Sequence, residues 1–453
     1  MDTVRIITAI PSMMPSIAIS TMGRESRSWR SWSSDRRIRL AMKRATDNLR
    51  EAMERTKIAA FILGLGLSHF GGAQTGPIPV DQAKSPLVVG AQRTAEYFPL
   101  LQGKRIAIVT NHTGLIGTTH LVDSLVRAQL LVRRVFAPEH GFRGDADAGE
   151  LVQDGRDTRT GVELISLYGD QKKPKAVHLA DIDVVLFDIQ DVGVRFYTYI
   201  STLHYVMEAC AEQHKPLIVL DRPNPNGFFI DGPVLRPEHA SFVGLHPVPL
   251  VHGMTVGEYA RMINGEHWLK DGAQCDLTVV ACEGYDHQTY YNLPVKPSPN
   301  LPNMSAVYLY PSLVLFEGTS VSVGRGTDKP FQCIGLPDGK LGNHRFTPRS
   351  VPGATDPPYK NKECQGMDLS EFGTFYSRMS GKISLQWLLG FTEQATDKKV
   401  FFNSFFDKLA GSPDLRGLLL DGADEVRIRA AWQPGLDAFA KVRSKYLLYP
   451  DFR

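Results

Sequence analysis

The sequence predicts a doubly wound α/β domain built on a parallel sheet, followed by a smaller α/β domain. Short apolar runs without strict alternation recur through the first half, and stretches with apolar residues every three or four positions separate them. A strand covered on both faces has no wet side, so it reads as a continuous apolar run rather than an alternating one. Several runs also end in chemically active residues, as happens where an open parallel sheet gathers ligands along its carboxyl edge.

The first run is residues 104–111 (KRIAIVTN), and further runs follow at 131–137, 162–167, 182–189 and 216–220. Helical periodicity at 121–129 and 201–214 lies between them, and right-handed crossovers then fix the general shape. A second region begins near the Pro-rich segment 293–302, which sets the domains at 88–293 and 294–453. It holds a loop-rich middle, 336–367, and helix-like stretches at 383–392 and 437–446. At 453 residues the chain has room for two cores of ordinary size.

A content of 43% hydrophobic and 22% charged residues is that of a soluble globular protein. The formal charge of +3 hides an asymmetry: residues 1–73 carry twelve Lys/Arg against six Asp/Glu, so the remainder is net acidic. No basic footprint for nucleic acid survives that division. Arg55 and Lys57, the apolar stretch 58–67 and Gly71-Gly72-Ala73 read as a signal peptide over 53–73, cleaved after Ala73. The stretch is too short for a permanent membrane span. An exported protein, periplasmic or secreted, is therefore expected, with residues 1–52 a non-native or disordered extension. Cys210, Cys275, Cys282, Cys333 and Cys364 fit neither a zinc ribbon nor a disulfide framework and read as buried thiols, with Cys275 and Cys282 the nearest pair for a bridge.

The strand ends carry the candidate site. Asn111 and His112 follow the first run, Glu139 and His140 the second, Asp188, Gln190 and Asp191 the fourth, and Asp221 and Arg222 the fifth, so they should converge on one crevice. In PEHGFRG, a carboxyl group at Glu139 desolvated by Phe142 or a sugar ring could keep its proton and act as a general acid; alternatively it caps a helix or pairs with Arg143. The segment 188–199 adds Arg195, Tyr197 and Tyr199, the cation and amphipathic rings that suit a polar sugar; Asp191 and Arg195 could equally form an i,i+4 ion pair while the tyrosines face the core. Asn224 and Asn226 offer amides for sugar hydroxyls, or simply form a turn. Glu317, Thr319 and the glycine-flanked Arg325 come from the second region, where Arg325 is presented for a carboxylate. No zinc-protease motif, nucleophile elbow, phosphate loop or three-glycine dinucleotide fingerprint is present, so no metal and no cofactor is expected.

Together GKRIAIVTNHTG, FAPEHGFRG, DVVLFDIQDVGVRFYTYI, VLDRPNPNG, VKPSPNLPNM, YPSLVLFEGTSVSVGRGTDKPFQ and YLLYPDF resemble the exo-β-N-acetylmuramidases of the NamZ type, glycoside hydrolase family 171, from about Val88 to Arg453. The resemblance implies a Rossmann-like catalytic domain, a smaller C-terminal domain and an active site in the cleft between them. It also implies release of N-acetylmuramic acid (MurNAc) from the non-reducing end of peptidoglycan-derived muramyl saccharides such as MurNAc-GlcNAc, in cell-wall turnover. The family's glutamate in the Pro-Glu-His-Gly segment falls on Glu139, the expected catalytic acid. Ser320 stands where the family pattern has Asn, and the polar, Pro-rich 347–364 region departs from it.

Hydrolysis needs a second group to stabilise or attack the cationic sugar carbon. Asp188, Asp191, Glu317 and the sugar's own acetamido group are all open for that role. The lactyl carboxylate of MurNAc calls for a cation, with Arg325 first and Arg195 second. The alternative from another class is a non-catalytic periplasmic protein that binds a cell-wall sugar between two lobes.

Overall fold

Strand β1 (Arg105–Thr110) sends Ile106 and Ile108 into one apolar core and Ala107 and Val109 into another. That alternation of destination, with every residue after Arg105 buried, is why the run looks uniformly apolar in sequence. The computed structural model describes residues 85–139, 141–142 and 154–452, with backbone alone for 374–377. The expected extension and signal peptide, and the site candidates His140 and Arg143, lie outside the described residues. Among those described, no helix is long and apolar enough to cross a membrane.

After β1 come a small hairpin, β2 (Leu115–Ile116) and β3 (Thr119–His120), then β4 (Leu131–Ala137), β5 (Gly155–Arg156), β6 (Glu163–Ser166), β7 (Val184–Asp188), β8 (Leu217–Leu220) and β9 (Leu277–Val280). The central sheet runs β5-β6-β4-β1-β7-β8-β9; only the short edge strand β5 is antiparallel to its neighbour. Numbered by appearance, the six parallel strands have the Rossmann order 3-2-1-4-5-6. The expected parallel sheet is therefore present, with β9 added from the unassigned stretch between Cys275 and Cys282.

Helices Thr94–Leu101 and Leu121–Arg127 cover one face through Tyr97, Leu101, Leu121 and Leu125. Helices Tyr199–Glu212 and Val256–Gly265 cover the other through Leu203, Met207, Tyr259 and Ile263. This second core continues without a break into the C-terminal region, through Leu309, Phe316, Leu388 and Phe439. There a three-stranded antiparallel sheet, β10 (Cys333–Leu336), β12 (Cys364–Asp368) and β11 (His344–Phe346) in that order, packs among helices. The helix expected at 437–446 is the end of a longer one, Glu425–Arg443, capped by the Asp424 side chain on Arg427 N. All five cysteines are buried free thiols, so Cys275 and Cys282 are unbridged.

Candidate active site

The carboxyl end of β4 delivers Ala137-Pro138-Glu139, and Gly141 N bonds back to Pro138 O at 3.0 Å, turning the chain away at once. Glu139 Oε2 accepts a 2.9 Å hydrogen bond from Thr198 Oγ1. Thr198 is the N-cap residue of helix Tyr199–Glu212, but its side chain makes no capping bond, which frees it for the carboxylate. Burial, and then the nearby Glu139 carboxylate, push the Tyr168 phenol up. A carboxyl group held by the Thr198 hydroxyl beside a cavity is placed to exchange a proton with whatever enters.

That cavity encloses about 710 Å³, including the part open to solvent, and its walls include Glu139, Tyr197, Tyr199, Tyr310, Glu317 and Arg325. Tyr197 crosses Tyr199 edge-on at 4.8 Å and Tyr310 at 6.1 Å, and Tyr310 in turn meets Phe331 at 4.8 Å. Burial raises the Tyr197, Tyr199 and Tyr310 phenols, so they remain neutral, flat walls rather than bases. Tyr199 is fixed by Asn111 Nδ2 at 2.8 Å, and Tyr197 donates to Pro297 O at 2.8 Å.

Glu317 and Arg325 meet as a fork on the same wall, Nε to Oε1 at 2.5 Å and Nη2 to Oε2 at 3.2 Å, with the side chains 21% and 20% exposed. Burial works against the guanidinium charge, yet the facing carboxylate holds it above its ordinary range. Phe331 lies under the guanidinium at 5.0 Å. Gly324 and Gly326, at φ of 75° and 80°, bend the chain sharply on both sides; a Cβ would meet Cys333 Sγ at 2.5 Å or Arg349 O at 2.4 Å. Arg325 thus sits on the cavity wall, paired with Glu317.

The remaining wall was not anticipated. Ser298 and Asn300 enter from the Pro-rich segment, which is tied to the first half by Tyr197 on Pro297 O and by His112 Nε2 with Lys296 O at 2.8 Å. Asn300 Nδ2 is anchored on Gly353 O. The segment carries a signal, a polar pair within a run of prolines, but from sequence it marks the start of the second region.

Several expected site residues converge on one another instead of on the cavity. Asp188 ends β7 fully buried, and Arg222 takes both its oxygens at 2.6 and 2.9 Å, so it is a sealed ion pair and not a group that can reach a substrate. Asn111 Oδ1 receives Thr113 N and Oγ1, so Asn111 supports Tyr199 from beneath. Gln190 is buried with its amide on Asp191 O and Pro223 O. Asp191 is buried with Oδ1 accepting from Gly193 N at 2.6 Å, and burial raises its carboxyl to about 7. No ion pair joins Asp191 to Arg195. Arg195 donates to Pro233 O, Val248 O and Leu409 O, and burial pulls its guanidinium down to about 9. It therefore clamps three backbone segments and is no second ligand for a carboxylate. Asn224 and Asn226 stitch Met254 O, Val192 O and Val307 O together, and Thr319 bonds Phe316 O, all away from the cavity wall. Among the described residues no three His, Cys, Asp or Glu side chains come together as metal ligands.

Comparison with known proteins bears on what such a cavity does. Residues 106–305 match the family model of exo-β-N-acetylmuramidase NamZ, N-terminal, and residues 308–449 match the C-terminal model. The peptidoglycan β-N-acetylmuramidase NamZ of Bacillus subtilis (strain 168) is 39% identical over 421 residues, covering 87% of this chain and 100% of the relative. Two crystal structures of DUF1343-family proteins from Bacteroides fragilis are similar in fold. One has a TM-score of 0.76 at 46% identity, covering 81% of this chain and 100% of its own. The other has a TM-score of 0.66 at 30% identity, covering 80% and 99%.

Proposed function

The chain belongs to the NamZ family of exo-β-N-acetylmuramidases and is a glycoside hydrolase, and from that premise we propose that the Glu139 cavity removes MurNAc from the non-reducing end of peptidoglycan-derived muramyl saccharides. The single observation that carries the assignment is that Glu139 and the Glu317–Arg325 pair line one tyrosine-walled cavity. MurNAc presents an amide N–H at C2 and a lactyl carboxylate at C3, a donor beside an anion. Glu317 beside Arg325 is the complementary arrangement, an acceptor beside a cation. Arg325 spends its Nε–Nη2 edge on Glu317, which leaves Nη1 to take the lactyl carboxylate.

Glu139 protonates the glycosidic oxygen as the C1–O bond breaks. With Asp188 and Asp191 sealed away, the second role falls to the Glu317 side of the cavity. Glu317 accepts the acetamido N–H and turns the acetamido carbonyl oxygen toward C1, which it attacks. Glu139, now a carboxylate, then takes a proton from the water that opens this intermediate, so the configuration at C1 is retained. Incubation with MurNAc-GlcNAc and with GlcNAc-MurNAc tests the assignment. MurNAc should be released from the first and nothing from the second, and release of GlcNAc from the second would contradict it.

Export is also part of the proposal, supported by the basic, apolar and small-residue order of 53–73. The mature protein, recovered outside the cytoplasm, should begin at Gln74; a full-length cytoplasmic product would overturn this.

A further inference from the structure

A general acid must touch the oxygen it protonates, so the sugar on the leaving side has to lie against the protein immediately outside Glu139. Tyr168 lies near enough to that carboxylate for its charge to raise the phenol, and is itself only partly buried. Beyond it, the Tyr168 and Phe242 rings are 6.4 Å apart, and Phe242 stacks on Tyr205 at 6.3 Å with planes 16° apart. Lys172 Nζ stands 4.8 Å above the Phe242 ring. Phe242 adjoins Val243, a wall residue of the cavity, and Tyr205 lies on the helix whose N-cap holds Glu139. Three linked aromatic rings, each partly exposed, thus lie beside the catalytic carboxyl group.

Resting on the active-site reading above, we propose that Tyr168, Phe242 and Tyr205, with Lys172, form the platform that binds the GlcNAc unit on the reducing side of the scissile bond. Pyranose rings offer an apolar face of C–H groups and a rim of hydroxyls. Half-buried aromatic rings meet the face, while the Tyr168 hydroxyl and the Lys172 ammonium supply polar contacts at the rim. The inner cavity then selects MurNAc, and the platform selects what it is attached to.

Calorimetric titration of the intact Glu139→Gln protein with MurNAc and with MurNAc-GlcNAc tests this, with and without Phe242→Leu, which keeps apolar volume but loses the flat face. The disaccharide should bind Glu139→Gln more tightly than MurNAc, and Phe242→Leu should erase about tenfold of that gain while MurNAc affinity stays put. Phe242→Trp should restore it. An unchanged gain in Phe242→Leu, with MurNAc still bound, would overturn the platform alone. If neither sugar binds any of these proteins, the active-site reading itself has failed. Should Phe242→Leu not fold, Lys172→Ala carries the same comparison from the other side of the ring.

Discussion

Thr198 and Glu139, 59 residues apart in sequence, are joined by a 2.9 Å hydrogen bond between the N-cap of a core-facing helix and the end of β4. The bond orients the carboxyl group toward the cavity, so its loss should misplace the proton rather than the sugar. Thr198→Val keeps the shape and removes the donor. The expected result is a fall in kcat of about tenfold, from roughly 1–1.5 kcal/mol, with KM little changed and activity recovered in Thr198→Ser.

Arg325→Ala should cost MurNAc recognition selectively. Its effect belongs in kcat/KM for MurNAc substrates, a loss of about 10- to 100-fold for one charged pair of roughly 1.5–3 kcal/mol. Arg325→Lys should recover little, because an ammonium cannot reproduce the fork that holds Glu317. Parent-like hydrolysis by Arg325→Ala would contradict the assignment.

The Asp188–Arg222 pair is a stability element. Both side chains are almost fully buried, so Asp188→Asn leaves the guanidinium uncompensated and should destabilise the protein by about 3–5 kcal/mol, read as a lower denaturation midpoint. Turnover per folded molecule at low temperature should remain within an order of magnitude of the parent. Complete loss of turnover in a fully folded Asp188→Asn protein would return Asp188 to the catalytic list.

Asp191 predicts a pH dependence. Burial raises its carboxyl to about 7, and Oδ2 has no hydrogen-bond partner. Between the unfolded value and about 7 the native state binds more proton than the unfolded one, so this group's contribution to stability falls as pH rises through that window. Across it the change is roughly 4 kcal/mol. Denaturant titrations of the parent and Asp191→Asn from pH 4 to pH 8 should show the parent losing stability relative to the variant as pH rises. Parallel curves would contradict the prediction.

Much of the fold was legible because burial on both faces leaves a mark on composition. β1, β4, β6, β7 and β8 all fall inside the apolar runs read from sequence. β9 was missed because Leu277–Val280 leaves only Val280 buried, so the strand is short and half-covered. Pro434, inside the Glu425–Arg443 helix, hid the helix's first half. The site was less legible. Sequence marks polar residues at a sheet's ligand edge but does not say whether they face a ligand or each other. Asp188 finds Arg222, and Asn111 finds Tyr199, so the crevice above β1 and β7 is filled by protein and the cavity opens beside it over β4. Glu139, Tyr197, Tyr199, Glu317 and Arg325 line the cavity together with Tyr310, Ser298 and Asn300, which the sequence did not mark as site residues.

Turnover and affinity of Glu139→Gln on MurNAc-GlcNAc, measured together, bear most directly on the central claim that Glu139 supplies the proton. The amide keeps the shape and the Thr198 contact but has no acidic proton to give. Turnover should fall by several orders of magnitude while the dissociation constant for the disaccharide stays within a few-fold of the parent's KM. Turnover within tenfold of the parent would show that the proton comes from elsewhere.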